Sequence, residues 1–156
     1  MFYRRSISMK IRRVITENDE NGKSRVKLDD ELVTKPGRPG FESRVAWATK
    51  DLPAKLTEED PSKWEIGTTI SNGSVFRVIK YDPGVSGRWH TTDSIDYAVV
   101  LSGEIDMQLD EGEVHLKAGD VMVQRATSHN WVNRGKESCI IVFVLIALEG
   151  GKSTGW

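Results

Sequence analysis

The sequence predicts an all-β fold of sandwich or barrel type, and three features carry that prediction. From Ser74 onward, short apolar runs follow one another at strand length: VFRVIKY, IDYAVVL, EIDMQL, EVHLK, DVMVQ and CIIVFVLIAL. Turn signals separate them at Pro83-Gly84, Ser102-Gly103, Asp110-Glu111-Gly112, Ala118-Gly119 and Arg134-Gly135. Between Glu113 and Lys117 the apolar Val114 and Leu116 alternate with polar neighbours, which is the period of a strand with one wet face, and helical periodicity is nearly absent from the region.

Taken in order, residues 1–9 are expected to form a loosely ordered extension, with Met9 a possible native start. Residues 10–28 read as a hairpin, KIRRVIT and RVKL around a turn with Asn21-Gly22 at its tip. The Pro/Gly stretch KPGRPG leads into FESRVAWAT, another strand. Residues 50–65 hold two prolines and many charges, so a loop with one short helix is expected, and its TEED run is read as solvated. The remaining strands, residues 74–148, make up the barrel of a single domain spanning 10–150. Gly103, Gly112 and Gly119 are expected at turns that require positive φ. The run Cys139 to Leu148 is apolar on both faces, one to line the interior and the other to pack on a second sheet or a partner subunit.

Composition narrows the function classes. Twenty-two basic residues stand against 23 acidic ones with no basic stripe, so no nucleic-acid partner is expected. The longest apolar run is about half of what a membrane-spanning helix needs, so no membrane partner is expected either. A single cysteine, Cys139, excludes an internal disulfide and suits a reducing compartment. The basic start MFYRRSISMKIRR lacks a following apolar stretch, and a cytoplasmic location is expected.

Candidate chemistry sits on few residues. Of three histidines, His115 falls on the wet face of its strand and is read as a solvated surface group. His90 and His129 remain. Asp96 follows His90 after a bend at Thr92-Asp93-Ser94, sharing a face with Ser94, Ala98 and Val100, so a carboxylate is flanked by apolar residues. Such a charge is costly unless a cation or a set of donors compensates it. Two imidazoles and one carboxylate match a facial triad for a divalent metal. Hydrogen bonds from Ser94, Thr92 or a backbone amide would serve equally. Trp131 shares a face with His129 and Asn133 and is either an aromatic cavity wall or packing, while Gln124 is placed to project into the cavity. Tyr97 and Trp89, on the opposite faces from Asp96 and His90, are expected to be packing residues, and Arg125 to sit at the rim.

Gly84, His90, Thr92, Asp96 and Gly103 have the spacing of the first cupin motif, with Thr92 in place of its second histidine and Asp96 in place of its glutamate. Gly119, Gln124-Arg125-Ala126, His129 and Asn133 resemble the second motif, with Gln124 and Ala126 in place of its proline and glycine and one residue fewer after Gly119. The chain is thus similar to the cupin superfamily, and IDYAVVLSGE and GDVMVQRATSHNW resemble small single-domain cupins of the conserved-barrel type.

The resemblance implies a double-stranded β-helix, the jelly-roll barrel, with an N-terminal strand extension and a homodimer. Carried over by position, His90, Asp96 and His129 are the expected metal ligands and catalytic residues, holding iron, manganese or zinc, with Thr92, Gln124 and Trp131 contacting substrate. The expected function is a metal-dependent enzyme acting on a small oxygenated organic molecule, by dioxygenase, isomerase, hydrolase or decarboxylase chemistry. Without a metal, His90 or His129 would be a general base oriented by Asp96. The alternative is a non-catalytic small-molecule-binding cupin whose metal site has been lost.

Overall fold

The computed structural model describes residues 8–155. It opens with a hairpin of β1 (Lys10–Asn18) and β2 (Ser24–Val33). The hairpin is longer than its expected span because Leu28 to Val33 continues the ladder back to Lys10. Its turn is set by Gly22 at φ 75° and by Asp19, whose carboxylate accepts from the amides of Asn21 and Lys23, both at 2.9 Å. Of the expected loose extension, residues 1–7 lie outside the described residues. Met9 is tied down, its amide donating to Thr34 Oγ1 at 2.8 Å and its carbonyl accepting from the Thr34 amide at 2.9 Å.

Arg13 anchors the hairpin to the body. It is 7% exposed, and its guanidinium donates to Asp30, to Asp60 and to the carbonyl of Ala46. The paired charges hold the Asp60 carboxyl well below the usual carboxylate range.

The remaining elements are β3 (Lys35–Pro36), β4 (Phe41–Thr49), one turn of 3-10 helix (Pro61–Lys63), β5 (Ser74–Tyr81) and β6 (Ser94–Ser102). After these come β7 (Glu104–Leu109), β8 (Gly112–Lys117), β9 (Val121–Arg125), β10 (His129–Val132) and β11 (Cys139–Ala147). Six strands pair in the order β3-β4-β5-β11-β6-β9, three in the order β10-β7-β8, and the hairpin forms its own sheet. The six- and three-stranded sheets face each other as a jelly roll. They do not close into one hydrogen-bonded ring; residues 86–90, ahead of β6, meet β10 only through the isolated bridges Ser86↔Val132 and His90↔His129. Among the described residues no helix is long and apolar enough to cross a membrane.

Alternation decides what lies between the sheets. On β11, Cys139, Ile141, Phe143 and Leu145 are buried against Val75, Ile79 and Tyr81 of β5, Val100 of β6, Ile105 and Met107 of β7, and Trp131 of β10. Burial lifts the Cys139 thiol to about 12, so it behaves as a small apolar side chain. Gly103, Gly112 and Gly119 all have positive φ, as expected, and at Gly103 a Cβ would also meet the Ser138 carbonyl at 2.5 Å. Tyr97 and Trp89 depart from expectation. They are 50% and 45% exposed; Tyr97 lies on the outer face of the six-stranded sheet, which no other sheet covers among the described residues, and Trp89 lies on the approach to His90.

Candidate active site in the jelly-roll cavity

Strand parity sends Ser94, Asp96, Ala98 and Val100 of β6 inward, so the carboxylate of Asp96 is 4% exposed inside the fold. Ser94 donates to Asp96 Oδ1 at 2.5 Å, and Thr92 donates to Oδ2 at 3.4 Å. Burial dominates over these bonds and raises the Asp96 carboxyl to about 6, with the positive charge of Arg77 pulling weakly the other way.

His90 and His129 form a hydrogen-bonded antiparallel pair, each amide donating to the other's carbonyl at 3.1 Å. Their rings therefore project to the same side, 4.3 Å apart between centroids. His90 thus has His129 as its cross-strand partner, whereas Asp96 is opposite Gln124 on β9 and Leu145 on β11. Nδ1 of His90 lies 2.8 Å from the Arg88 carbonyl, and Nδ1 of His129 lies 2.8 Å from the Thr127 carbonyl. A carbonyl only accepts, so both Nδ1 atoms carry the proton in the neutral rings and both Nε2 atoms present lone pairs. Burial lowers the His90 imidazole below its ordinary value, and burial together with the neighbouring His90 takes His129 to about 4.

His90, Thr92, Asp96, His129 and Trp131 line one cavity of about 290 Å³. Trp131 is 3% exposed and meets the His129 ring edge-on at 5.8 Å, so it is both core and cavity wall. Gln124 is also buried, but it bonds to the Met107 sulfur and to Thr127 and is absent from the lining. Asn133 closes the loop ahead of β11, donating to the Tyr81 and Glu137 carbonyls at 2.9 and 3.0 Å. Ala126, in the place of the second motif's glycine, keeps a glycine-like φ of 53°. His115 stays at the surface, but it is not merely solvated: its Nδ1 lies 2.7 Å from Asp106, which also accepts from Arg134 at 2.6 Å.

The cavity contains residues that sequence reasoning missed. Arg38, Arg77 and Arg88 all line it, whereas Arg125, the expected rim cation, is exposed on β9 with the parity opposite to Gln124. Arg77 had a legible signal, since it shares strand parity with Val75, Ile79 and Tyr81. Arg38 had none, because it comes from the KPGRPG loop and only tertiary closure brings it to the site.

Metal fit divides this set. Two neighbouring imidazoles whose Nδ1 atoms are fixed by carbonyls, leaving Nε2 as the acceptor atom of each ring, suit two coordination positions. Among the described residues, however, no group of three or more His, Cys, Asp or Glu is arranged to hold a metal. Asp96 is engaged by the Ser94 and Thr92 hydroxyls, and Thr92 is the residue that replaces a motif histidine.

Comparison with known proteins agrees with the geometry. The family described as Cupin domain matches residues 77–145. The chain is 40% identical over 134 residues to the phomopsin biosynthesis cluster protein C' of Diaporthe leptostromiformis, covering 78% of this chain and 70% of that protein. It is 38% identical over 96 residues to the cupin-domain-containing oxidoreductase fogC of Aspergillus ruber, covering 58% of this chain and 47% of that protein, about half its length. A solved structure from Klebsiella pneumoniae, an uncharacterized conserved protein with a double-stranded β-helix domain, superposes with a TM-score of 0.55 at 24% identity, covering 77% of this chain and 87% of that one. On the motifs, the jelly roll and these relatives together, the chain belongs to the cupin superfamily.

Proposed function

We propose that this cupin is an enzyme that moves a proton to or from a small oxygenated organic molecule held in the cavity. The observation that carries the reading is the lining itself, in which Asp96, His90 and His129 face one cavity beside Trp131. Asp96 is the proton-transfer group, since a carboxyl at about 6 is largely ionised at neutral pH yet far more basic than a solvated one. The two Nε2 atoms accept hydrogen bonds from substrate hydroxyls and orient the molecule. Thr92 holds Asp96, and Trp131 supplies a flat wall. Relatives named as oxidoreductases and biosynthesis cluster proteins support an enzymatic role over a purely binding one.

The test is solvent exchange in D₂O with a panel of small aryl ketones and keto acids, followed by NMR. Asp96→Asn should slow exchange or turnover by about 10²-fold or more, in the range of a lost general base. Equal rates in the native protein and the variant would overturn the reading.

A second reading keeps the ligand set His90, Asp96 and His129 around iron, manganese or zinc, favoured by the paired Nε2 atoms. It requires Asp96 to exchange its hydroxyl partners for the metal. Elemental analysis of native protein beside His90→Ala and His129→Ala decides it: near-stoichiometric metal, lost in both variants, supports this reading, and no uptake of any of the three metals ends it.

We also infer a homodimer. The outer face of the six-stranded sheet carries the cross-strand row Phe76, Val144, Tyr97 and Val123, with Val142, Val99 and Val121 alongside. Tyr97, Val121 and Val123 are 50%, 74% and 58% exposed in the single chain, an unusual concentration for a solvated sheet. Light scattering should give twice the 17.5 kDa chain mass, and Val99→Glu with Val123→Glu should halve it. A native monomer would end this inference.

A further inference from the structure

We propose that the molecule bound in this cavity carries a carboxylate, held by the guanidinium groups of Arg38 and Arg77, with a flat aromatic or conjugated body against Trp131 and Phe143. The proposal rests on the reading that the cavity is the active site, and it adds the chemical class of the substrate.

The charge balance points there first. Three guanidinium groups, Arg38, Arg77 and Arg88, line the cavity against one carboxyl, Asp96. Arginine stays protonated in proteins, so this excess persists across the working pH range. Among the described residues, neither Arg38 nor Arg77 makes an ion pair. Arg38 lies over the Phe41 ring, 5.1 Å from its centroid, and donates no hydrogen bond there. Its buried Nε has no partner. Arg77 gives a single hydrogen bond, from Nη2 to the neutral Gly67 carbonyl at 2.6 Å, and its buried Nε is also without a partner. Asp96 offsets the charge of Arg77 only weakly across the cavity and accepts hydrogen bonds from Ser94 and Thr92, with no ion pair to either arginine.

A buried donor atom left unmatched is costly, and the Nε atoms of both arginines are in that position beside the cavity. A carboxylate suits this pair, since a guanidinium offers planar donors that match two coplanar oxygens. A guanidinium fork also matches two phosphate oxygens, so inorganic phosphate is the competing probe in the titration. The remaining walls are aromatic. Trp131 and Phe143 meet at 5.9 Å with a steep interplanar angle of 77°, and the volume of about 290 Å³ lies near the lower bound for small-molecule pockets. Arg88, on the exposed approach to His90, adds to the field that draws an anion inward.

The experiment is titration calorimetry of the full chain with trans-cinnamate, cinnamamide and inorganic phosphate as probes. Cinnamate should bind at least tenfold more tightly than its neutral amide. Arg38→Met and Arg77→Met should each weaken cinnamate at least tenfold and leave the amide within twofold. Arg77→Lys, which keeps the charge and guards against a simple folding defect, should give an intermediate affinity. Equal binding of acid and amide, or native affinity in both Met variants, overturns the proposal, as does phosphate displacing cinnamate at equal concentration. Asp96→Asn separates the two readings. Arginine-dependent cinnamate binding that survives in a native protein without exchange activity overturns only the proton-transfer reading. Loss of the arginine dependence with exchange intact overturns only this one.

Discussion

Replacing Asp96 by asparagine should stabilise the protein, and the gain should grow with pH. The native carboxyl is raised from 3.8 to about 6 by burial, so its ionised form is disfavoured in the folded state. Below about pH 4 it is protonated in both folded and unfolded chains and costs nothing. Between about 4 and 6 only the unfolded chain is ionised, so stability falls as pH rises. The loss is complete above the folded value, and two units correspond to about 3 kcal/mol. Asparagine removes that term but matches the Ser94 and Thr92 hydroxyls less well, leaving a net gain of about 2 kcal/mol at pH 8. For a chain of this size that is a rise in Tm of roughly 4–8 °C. Urea unfolding of native and variant protein at intervals from pH 4 to 8 measures the difference directly. A variant less stable than native at pH 8, or a difference that does not change with pH, would refute the reasoning.

His129 works in the opposite direction. Its folded value of about 4 lies below its usual 6.5, so the unfolded chain takes up a proton first and stability falls as pH drops through that window. His129 therefore opposes the Asp96 contribution between pH 4 and 6, and His129→Asn should make stability fall more steeply with rising pH there than in the native protein, in the same unfolding series. Ala126→Gly relieves a φ of 53° and should raise stability by about 1 kcal/mol, read as a higher urea midpoint with unchanged slope. Arg13→Met leaves Asp30 and Asp60 without their shared cation and should cost about 3 kcal/mol, with hydrogen exchange rising first in the hairpin amides.

Much of the fold was legible because parity and turn chemistry are local. Alternation sorted IDYAVVL into two faces without saying which one is inward, and Gly103 announced the turn after it. Only the motif resemblance pointed Asp96 into the barrel, where it is 4% exposed. The pairing of His90 with His129 was not legible as a contact, since it depends on an isolated bridge between residues far apart in sequence. Gln124 and Trp131 were both expected in the cavity by parity, yet Gln124 was captured by Thr127 and Met107, a choice that alternation does not encode. The arginines were missed for a different reason. Arginine defaults to the surface, so Arg77 was passed over although its parity matched the core. The half-exposed Tyr97 and Trp89 show the converse, since alternation finds two faces but not whether a second layer covers each.

The central claim is that one ligand meets His90 and His129 together inside the jelly roll. Imidazole NMR of the full chain during a cinnamate titration tests it most directly, with His115 as the internal control. The account predicts that both His90 and His129 are neutral with the proton on Nδ1 at pH 7, and that their Nε2 signals shift together on titration while His115 stays fixed. Nε2 signals that do not move at cinnamate concentrations shown calorimetrically to saturate the protein, or that move only at His115, would contradict it.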